Sequence, residues 1–461
     1  MFFRRRKAPD VPPVFAGSLD QFSNGTLQGW VCSVLHQDEC VHVEVHLRGE
    51  RLRREPANQE RPDVNAAGIA GPHGYRILLP PLPSIDRGDL AVTAECRGET
   101  QTILTDAIEE QILDFYAQAP EGRAVERCTT IWGSDLERER ISAKTYEDAV
   151  YLPFNSGILL DHDPYWGLYK SDGSLINGAA YRRGANLDLV GQSEVLDLGR
   201  YDLDEAPFET MVYGGPLLSH YGHFLLSTLS RCWAIDGSHP VLFHSTPPVQ
   251  AHRARFIVEM LGLTGLAGRS FSFERPTRIR RVIVPGPSLY EQHSIWRDHA
   301  VAMSAIARGI GSGSDRRWQK VYFSKSRLGA GVNGLEGEAF IDLKMKQAGF
   351  EIVYPEMLTV AEQVAIFRTA ELIVGLAGSA FHTLTLAPQT QAKRVIFTFE
   401  GFLNSNFLLI DRVSGGNAEY YTLKDEVSRT DTGLFTMNYA VRNANRLADQ
   451  IIALSSGRPR G

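Results

Sequence analysis

A chain of 461 residues, 43% hydrophobic and 22% charged, is an ordinary globular sequence with room for two or three domains and a sizeable core. Its formal net charge of -6 speaks against nucleic-acid binding, because a surface that tracks phosphates tilts the balance basic. No stretch reaches the roughly 18 apolar residues that span a bilayer, and MFF running straight into RRRK lacks the apolar centre of a secretory signal. The expected location is therefore cytoplasmic. Residues 1–13 read as a solvated basic tail, with weak peripheral contact to an anionic membrane face as the alternative. The five cysteines are odd in number, scattered and without a CxxC pair, which fits reduced structural thiols.

Residues 14–106 read as short alternating segments, CVHVEVHLRGE and DLAVTAECRGE among them, separated by Gly, Pro, Asn and Asp clusters. That spacing predicts a small all-β sandwich, in which the Asn-Gly pair at Asn24 marks a turn. Trp30 and Tyr75 are either core aromatics of this domain or contacts for a ligand. The stretch DAIEEQILDFYAQAP has helical spacing and a proline stop, so a helix near 106–118 forms a connector over 107–124. From 125 onward short apolar strands alternate with amphipathic helices, the texture of βα units and a mainly parallel sheet. PVLFHS (240–245) and RVIVP (281–285) are strands of a first α/β half over 125–308. The run GIGSGSDRR at 309–317 reads as a hinge; its G-x-G precedes a strand instead of following one, so it lacks the context of a dinucleotide fingerprint. Residues 318–461 form a second half, with strands VYFSK, EIVYP, LIVGL and RVIFTF and helices near 337–348, 359–369 and from about 379.

Ligands of open parallel sheets bind beyond the carboxyl ends of the strands, which singles out three loops. In GLAGSAFHTL, Gly375 and Gly378 lead into a helix near Ser379, so the amides of Ser379, Ala380 and Phe381 would face the cleft as an anion site. Small residues admit a diphosphate to the backbone, and Ser379 adds a hydrogen bond. The same glycines would equally serve close helix–strand packing, with His382 a core histidine. Lys325 and Arg327, just past the first strand, carry charge for the diphosphate. Glu356, at the end of the second, has the chemistry to accept hydrogen bonds from ribose hydroxyls.

In the first half, MVYGGPLLSHYGHFLLSTLSRCWAI reads as a strand, a loop with Gly214 and Gly215, and an amphipathic helix beginning near His223. A neutral imidazole is a good base and a helix N-terminus disfavours the imidazolium, so His223 is the candidate base, with His220 its rival and a capping or core histidine the plain alternative. The strings DHD (Asp161 to Asp163) and DLDE (Asp202 to Glu205) are weak metal motifs, because acidic turns produce them by chance.

Taken in order, HYGHFLLSTLSRCWAI, YFSKSRL, GEAFIDLKMKQAGFEIVYPEMLTVAEQVAIF and AELIVGLAGSAFHTLTLAP resemble glycosyltransferase family 61 over about 150–425, close to its bacterial capsular-polysaccharide members. The resemblance implies a GT-B-type pair of Rossmann-like halves facing a cleft, here preceded by the small β-sandwich, and transfer from a nucleotide-sugar with inversion at the anomeric carbon. By position Arg327, Glu338, Glu356, Gln363, Gly378, Ser379 and His382 resemble the family's motif residues, as do His223 and Arg231 in the first half. Many members carry a carboxylate and a proline inside the histidine-bearing helix, where this chain has Ser227 and Ser230.

The reading that results is an inverting glycosyltransferase of bacterial surface polysaccharide synthesis, taking a nucleotide-sugar donor and a glycan or lipid-linked glycan acceptor. Catalysis falls to His223 or His220. Donor binding falls to Lys325, Arg327, Glu338, Glu356, Gln363, Gly378, Ser379, Ala380 and His382, with Arg231 elsewhere in the cleft. Neither a metal nor another cofactor is expected, since positive charge and helix amides can neutralise the leaving diphosphate. A catalytically impaired scaffold that binds glycan or nucleotide, or a nucleotide-sugar hydrolase, are the alternatives.

Overall fold

The structure, a computed structural model, describes residues 14–36, 38–117, 125–154, 165–245, 249–311, 316–329, 333–430 and 437–456. It is a mixed α/β protein that divides into two compact units. The first comprises 1–124, 331–349 and 426–461, the second 125–330 and 350–425. The basic tail and Asp161 and Asp163 lie outside the described residues, as do 312–315 of the expected hinge.

In the first unit Phe15–Ser23, Thr26–Ser33 and Gly74–Leu78 form one antiparallel sheet, and Glu50–Pro56, His42–Leu47, Leu90–Cys96 and Glu99–Thr102 form another. Alternate residues of Leu90–Cys96 are buried, as a strand with one covered face requires. Asn24 and Gly25 both take positive φ (46° and 81°) in the tight hairpin that Asn-Gly predicts. Tyr75 is buried with its hydroxyl donating to the Ser18 carbonyl at 3.3 Å, so it is a core residue and not a glycan contact. The connector helix is Asp106–Tyr116, capped by the Thr105 hydroxyl, which accepts from the Ile108 amide.

The helix expected near 337–348 forms as Glu338–Gln347, but in this first unit and not in the second α/β half. Phe340 packs edge-to-face on Phe115 at 4.8 Å, and Lys344 Nζ donates to Asn445 Oδ1 and Asp449 Oδ1, each at 2.6 Å. Asn333–Glu336 pairs with Met437–Val441, which pairs in turn with Val427–Arg429. Periodicity revealed that this helix has an apolar face; it carries no information on which neighbour covers that face.

The second unit holds two sheets. In one, Thr277–Pro285, Thr210–Pro216, Val241–His244 and Ser270–Phe271 run parallel, while Ala143–Leu152 and Gly167–Tyr169 close one edge antiparallel. Gly214 and Gly215 belong to the second of these strands and not to a loop. The register shifts there, Gly215 has φ 90°, and a Cβ on Gly214 would strike the Phe243 ring. The other sheet is parallel in the order Glu351–Val353, Trp318–Phe323, Ala370–Leu376, Lys393–Thr398, Ala418–Thr422, with Glu126–Arg127 antiparallel at its edge. One apolar core, including Phe224, Ile257, Met303, Val321, Phe367 and Phe381, joins the two sheets.

Candidate active site

The strand Thr210–Pro216 leads into a helical segment that changes pitch twice, α over Tyr221–His223, π over Phe224–Thr228 and 3₁₀ over Leu229–Ala234. Phe224, Leu225, Leu226 and Leu229 fill the core, while the His223 side chain keeps 18% of its surface exposed. His223 Nδ1 lies 2.6 Å from Glu291 Oε2, and the other Glu291 oxygen accepts from the Ser227 hydroxyl. Burial alone would raise the Glu291 pKa, but the charge of His223 and the hydrogen bonds from His223 and Ser227 outweigh it and hold the group at about 2. Beside an ionised Glu291 a neutral His223 carries its proton on Nδ1, which makes Nε2 the ring's acceptor. Arg183 Nη1 donates toward that Nε2 at 3.4 Å.

Glu291 sits in the turn between Leu289–Tyr290 and Ser294–Trp296. The next residue, Gln292, is held at φ 62° by two backbone bonds: its amide donates to Asn406 Oδ1 at 2.6 Å and its carbonyl accepts from the Ser134 amide at 2.8 Å. The Glu291 carbonyl accepts from the Gly184 amide at 3.0 Å, which fixes the chain beside Arg183. Arg231, only 2% exposed, donates to the Gly178 and Ala180 carbonyls at 3.1 Å each and pins the turn leading to Arg183. It is a positioning residue buried behind the site.

His220 lies 4.6 Å from His223, ring to ring, and burial followed by the charge of His223 lowers its pKa to about 4. Among the described residues its Nδ1 has no partner, in contrast to the His223 Nδ1 held by Glu291.

The glycine loop meets this segment directly. A Cβ on Gly222 would fall 2.9 Å from both Ser379 Oγ and His382 Nδ1, so the residue between the two histidine positions must be this small. The Tyr221 and Thr383 hydroxyls are 3.0 Å apart across the same contact. His382 is buried, with both ring nitrogens unpartnered among the described residues, and burial brings its pKa down to about 3. The helix expected from about 379 forms as Ser379–Leu386, with 3₁₀ pitch. Its tighter pitch lets the Phe381 amide bond the Gly378 carbonyl at 3.1 Å, which removes Phe381 from the three amides expected to face an anion. Ser379 and Ala380 precede that first bond, at the start of the 3₁₀ helix.

Lys325 Nζ donates to the Ala377 carbonyl at 2.7 Å, in the space that Gly378 leaves by having no side chain. Arg327 is exposed, its guanidinium 4.2 Å above the Tyr354 ring, and Glu356 is exposed in the turn Pro355–Met357. Gln363 differs from the donor-binding role expected of it. It is buried, donates to the Pro355 carbonyl at 3.1 Å and accepts from the Thr383 hydroxyl at 3.3 Å, so it positions both loops. Glu338 is buried in the first unit. Asp202 and Asp204 are exposed, Asp204 facing Arg275 at 3.6 Å. Among the described residues no group of three or more His, Cys, Asp or Glu is arranged to hold a metal.

Glu291 and Arg183 escaped the sequence reading. Glu291 lies 68 residues from its histidine on a hairpin turn, and the one hint was Ser227, a hydroxyl on the histidine's own helix that needs an acceptor.

A histidine oriented by an ionised carboxylate has the chemistry to accept a proton. The particular class follows from sequence comparison. Residues 221–395 match the family Glycosyltransferase 61, spanning both the His223 segment and the glycine loop, and the domain they form makes the chain a glycosyltransferase. No curated protein matches the chain.

Proposed function

We propose that the protein is an inverting, GT-B-type glycosyltransferase that moves a sugar from a nucleotide-sugar to a glycan hydroxyl, free or lipid-linked, in bacterial surface polysaccharide synthesis. The observation that carries this reading is the contact at Gly222, where the base segment and the Ser379–His382 loop share one place. The acceptor oxygen attacks the anomeric carbon as its proton passes to His223 Nε2. The bond from that carbon to the phosphate oxygen breaks on the opposite face, and the nucleoside diphosphate leaves with the electron pair. The His223–Glu291 pair supports the proton transfer, since the carboxylate stabilises the imidazolium that forms. The charges of Lys325 and Arg327 and the amides of Ser379 and Ala380 suit the departing diphosphate, so the reading requires no divalent metal. Glu356 suits the ribose, and the basic tail 1–13 suits an anionic membrane face if the acceptor is lipid-linked. The test is incubation with a panel of nucleotide-sugars and glycan acceptors in EDTA, with product linkage read by NMR. Transfer with inversion supports the proposal. Donor hydrolysis that acceptors do not redirect points to a hydrolase, and absence of turnover with nucleotide bound points to a scaffold.

A further inference from the structure

Beyond the base, the second unit carries an exposed aromatic pair that the chemistry above does not use. Trp132 is 52% and Phe402 38% exposed, with ring centroids 5.9 Å apart, and Ile131 beside them is 45% exposed. Indole and phenyl faces left in water together mark a binding surface. The pair is fixed in place. Ile131–Trp132 pairs in parallel with Leu403–Asn404, the Leu403 amide donates to the Thr130 carbonyl at 2.8 Å, and the Glu400 carbonyl accepts from the Thr398 and Thr422 hydroxyls, each at 2.8 Å.

The position of the pair is informative. Phe402 lies in the loop leaving Lys393–Thr398, at the same carboxyl edge as the Gly378 loop. Trp132 is followed by Gly133, where a Cβ would lie 2.7 Å from the Gln292 carbonyl, and Gln292 follows the Glu291 that orients the base. The pair is therefore tied, through Gly133 and Gln292, to the turn that carries Glu291. Its chemistry is also narrow. In a chain 22% charged, neither TTIWGS (129–134) nor GFLNSN (401–406) has one ionisable side chain, while Thr129 and Thr130 offer exposed hydroxyls.

We infer that Trp132 and Phe402 form an acceptor subsite for a neutral oligosaccharide, whose sugar rings lay their C–H faces on the aromatic rings with the reactive hydroxyl directed toward His223. The inference rests on the glycosyl-transfer reading for its choice of ligand. The hydroxyl and amide side chains within the two segments match an uncharged sugar; of the charged groups that border them, Asp135 is paired with Arg412, and Lys424 beside Gly401 is the cation against which the oligouronate contrast is set.

The test uses the full chain and a glycan array, followed by calorimetry with tetrasaccharides of β-linked glucose, xylose and N-acetylglucosamine and, for contrast, an oligouronate. At least one neutral oligosaccharide binds the wild type, Trp132→Ala weakens it by about tenfold or more, and Trp132→Phe stays within roughly threefold because a ring remains. Phe402→Ala, at a second exposed position, weakens it in the same direction. The inference is overturned if no oligosaccharide binds the wild type, if the oligouronate is preferred, if Trp132→Ala binds as well as wild type, or if sedimentation shows that the variant merely splits a dimer. Nucleotide-sugar turnover measured in parallel separates the two readings. Oligosaccharide binding that needs Trp132 in a protein without turnover breaks the transferase proposal and spares the subsite, whereas transfer indifferent to Trp132 does the reverse.

Discussion

Around His223 the polar groups are already engaged with one another: imidazole to carboxylate, carboxylate to Ser227, Arg183 to the free ring nitrogen. Around Arg327 and Glu356 the side chains stand exposed at strand ends, and the one ring stacked under Arg327 constrains it only weakly. The proposed roles of the two sides account for the difference. A base has to hold one tautomer and one direction before the substrate arrives, and a buried network enforces both. A diphosphate brings its own charge, so exposed cations can turn to meet it and are not left buried and unpaired beforehand.

The most severe test of this contrast is removal of the base. His223→Ala is expected to lower the catalytic rate by roughly 10²- to 10⁴-fold with nucleotide affinity nearly intact, as befits a group acting in the transition state. Glu291→Gln, which keeps the shape and removes the charge, is expected to cost roughly 10- to 100-fold in the same rate constant. Steady-state kinetics beside calorimetry with the nucleoside diphosphate would check both. A fully active Glu291→Gln enzyme would break the account of a preorganised base.

On the exposed side, Arg327→Ala should weaken nucleoside diphosphate binding by about 1.5 to 3 kcal/mol, the range for a hydrogen bond to a charged group. Its unfolding temperature should match wild type, because little is buried there. Unchanged affinity in calorimetry would remove Arg327 from the donor site.

Acid should act first on the buried side. Burial lowers the pKa values of His244, His299 and His382 to about 3, against an ordinary value near 6.5. Below pH 6.5 the unfolded chain takes up protons that the folded one refuses, so stability is full above that pH and declines beneath it. Each such histidine contributes a slope of about 1.4 kcal/mol per pH unit. Denaturant titrations between pH 7.5 and 5.5 would measure the slope, and His299→Gln should flatten it. A flat profile in the wild type would mean that these rings are charged or exposed.

The strands of both α/β halves were legible because each is a short apolar run bounded by turn residues, and RVIFTF and LIVGL form within two residues of their expected ends. The Asn-Gly hairpin and the Thr359–Glu362 capping box, which starts the helix at Val360, are equally local. The glycine loop and His223 were singled out because helix starts and strand ends leave marks in sequence. Glu291 was not, since a carboxylate on a hairpin turn looks like any surface acid until the fold sets it against a histidine. The helix at Glu338 was found but assigned to the wrong neighbours, because a repeat of 3.6 residues shows an apolar face and not its partner. Gln363 was misread for a related reason, as an amide that binds backbone and one that binds ligand have the same formula.

The first unit is discontinuous, drawn from 1–124, 331–349 and 426–461, and this sets an order on its birth. Its early strands leave the ribosome first, yet Phe22 and Phe115, 5.3 Å apart, wait for Phe340, and the helix carrying Phe340 waits for Asn445 and Asp449. A nascent chain stopped before residue 426 therefore has most of the second unit in hand and an unfinished first one. During that interval its β strands present apolar faces to chaperones and to other nascent chains.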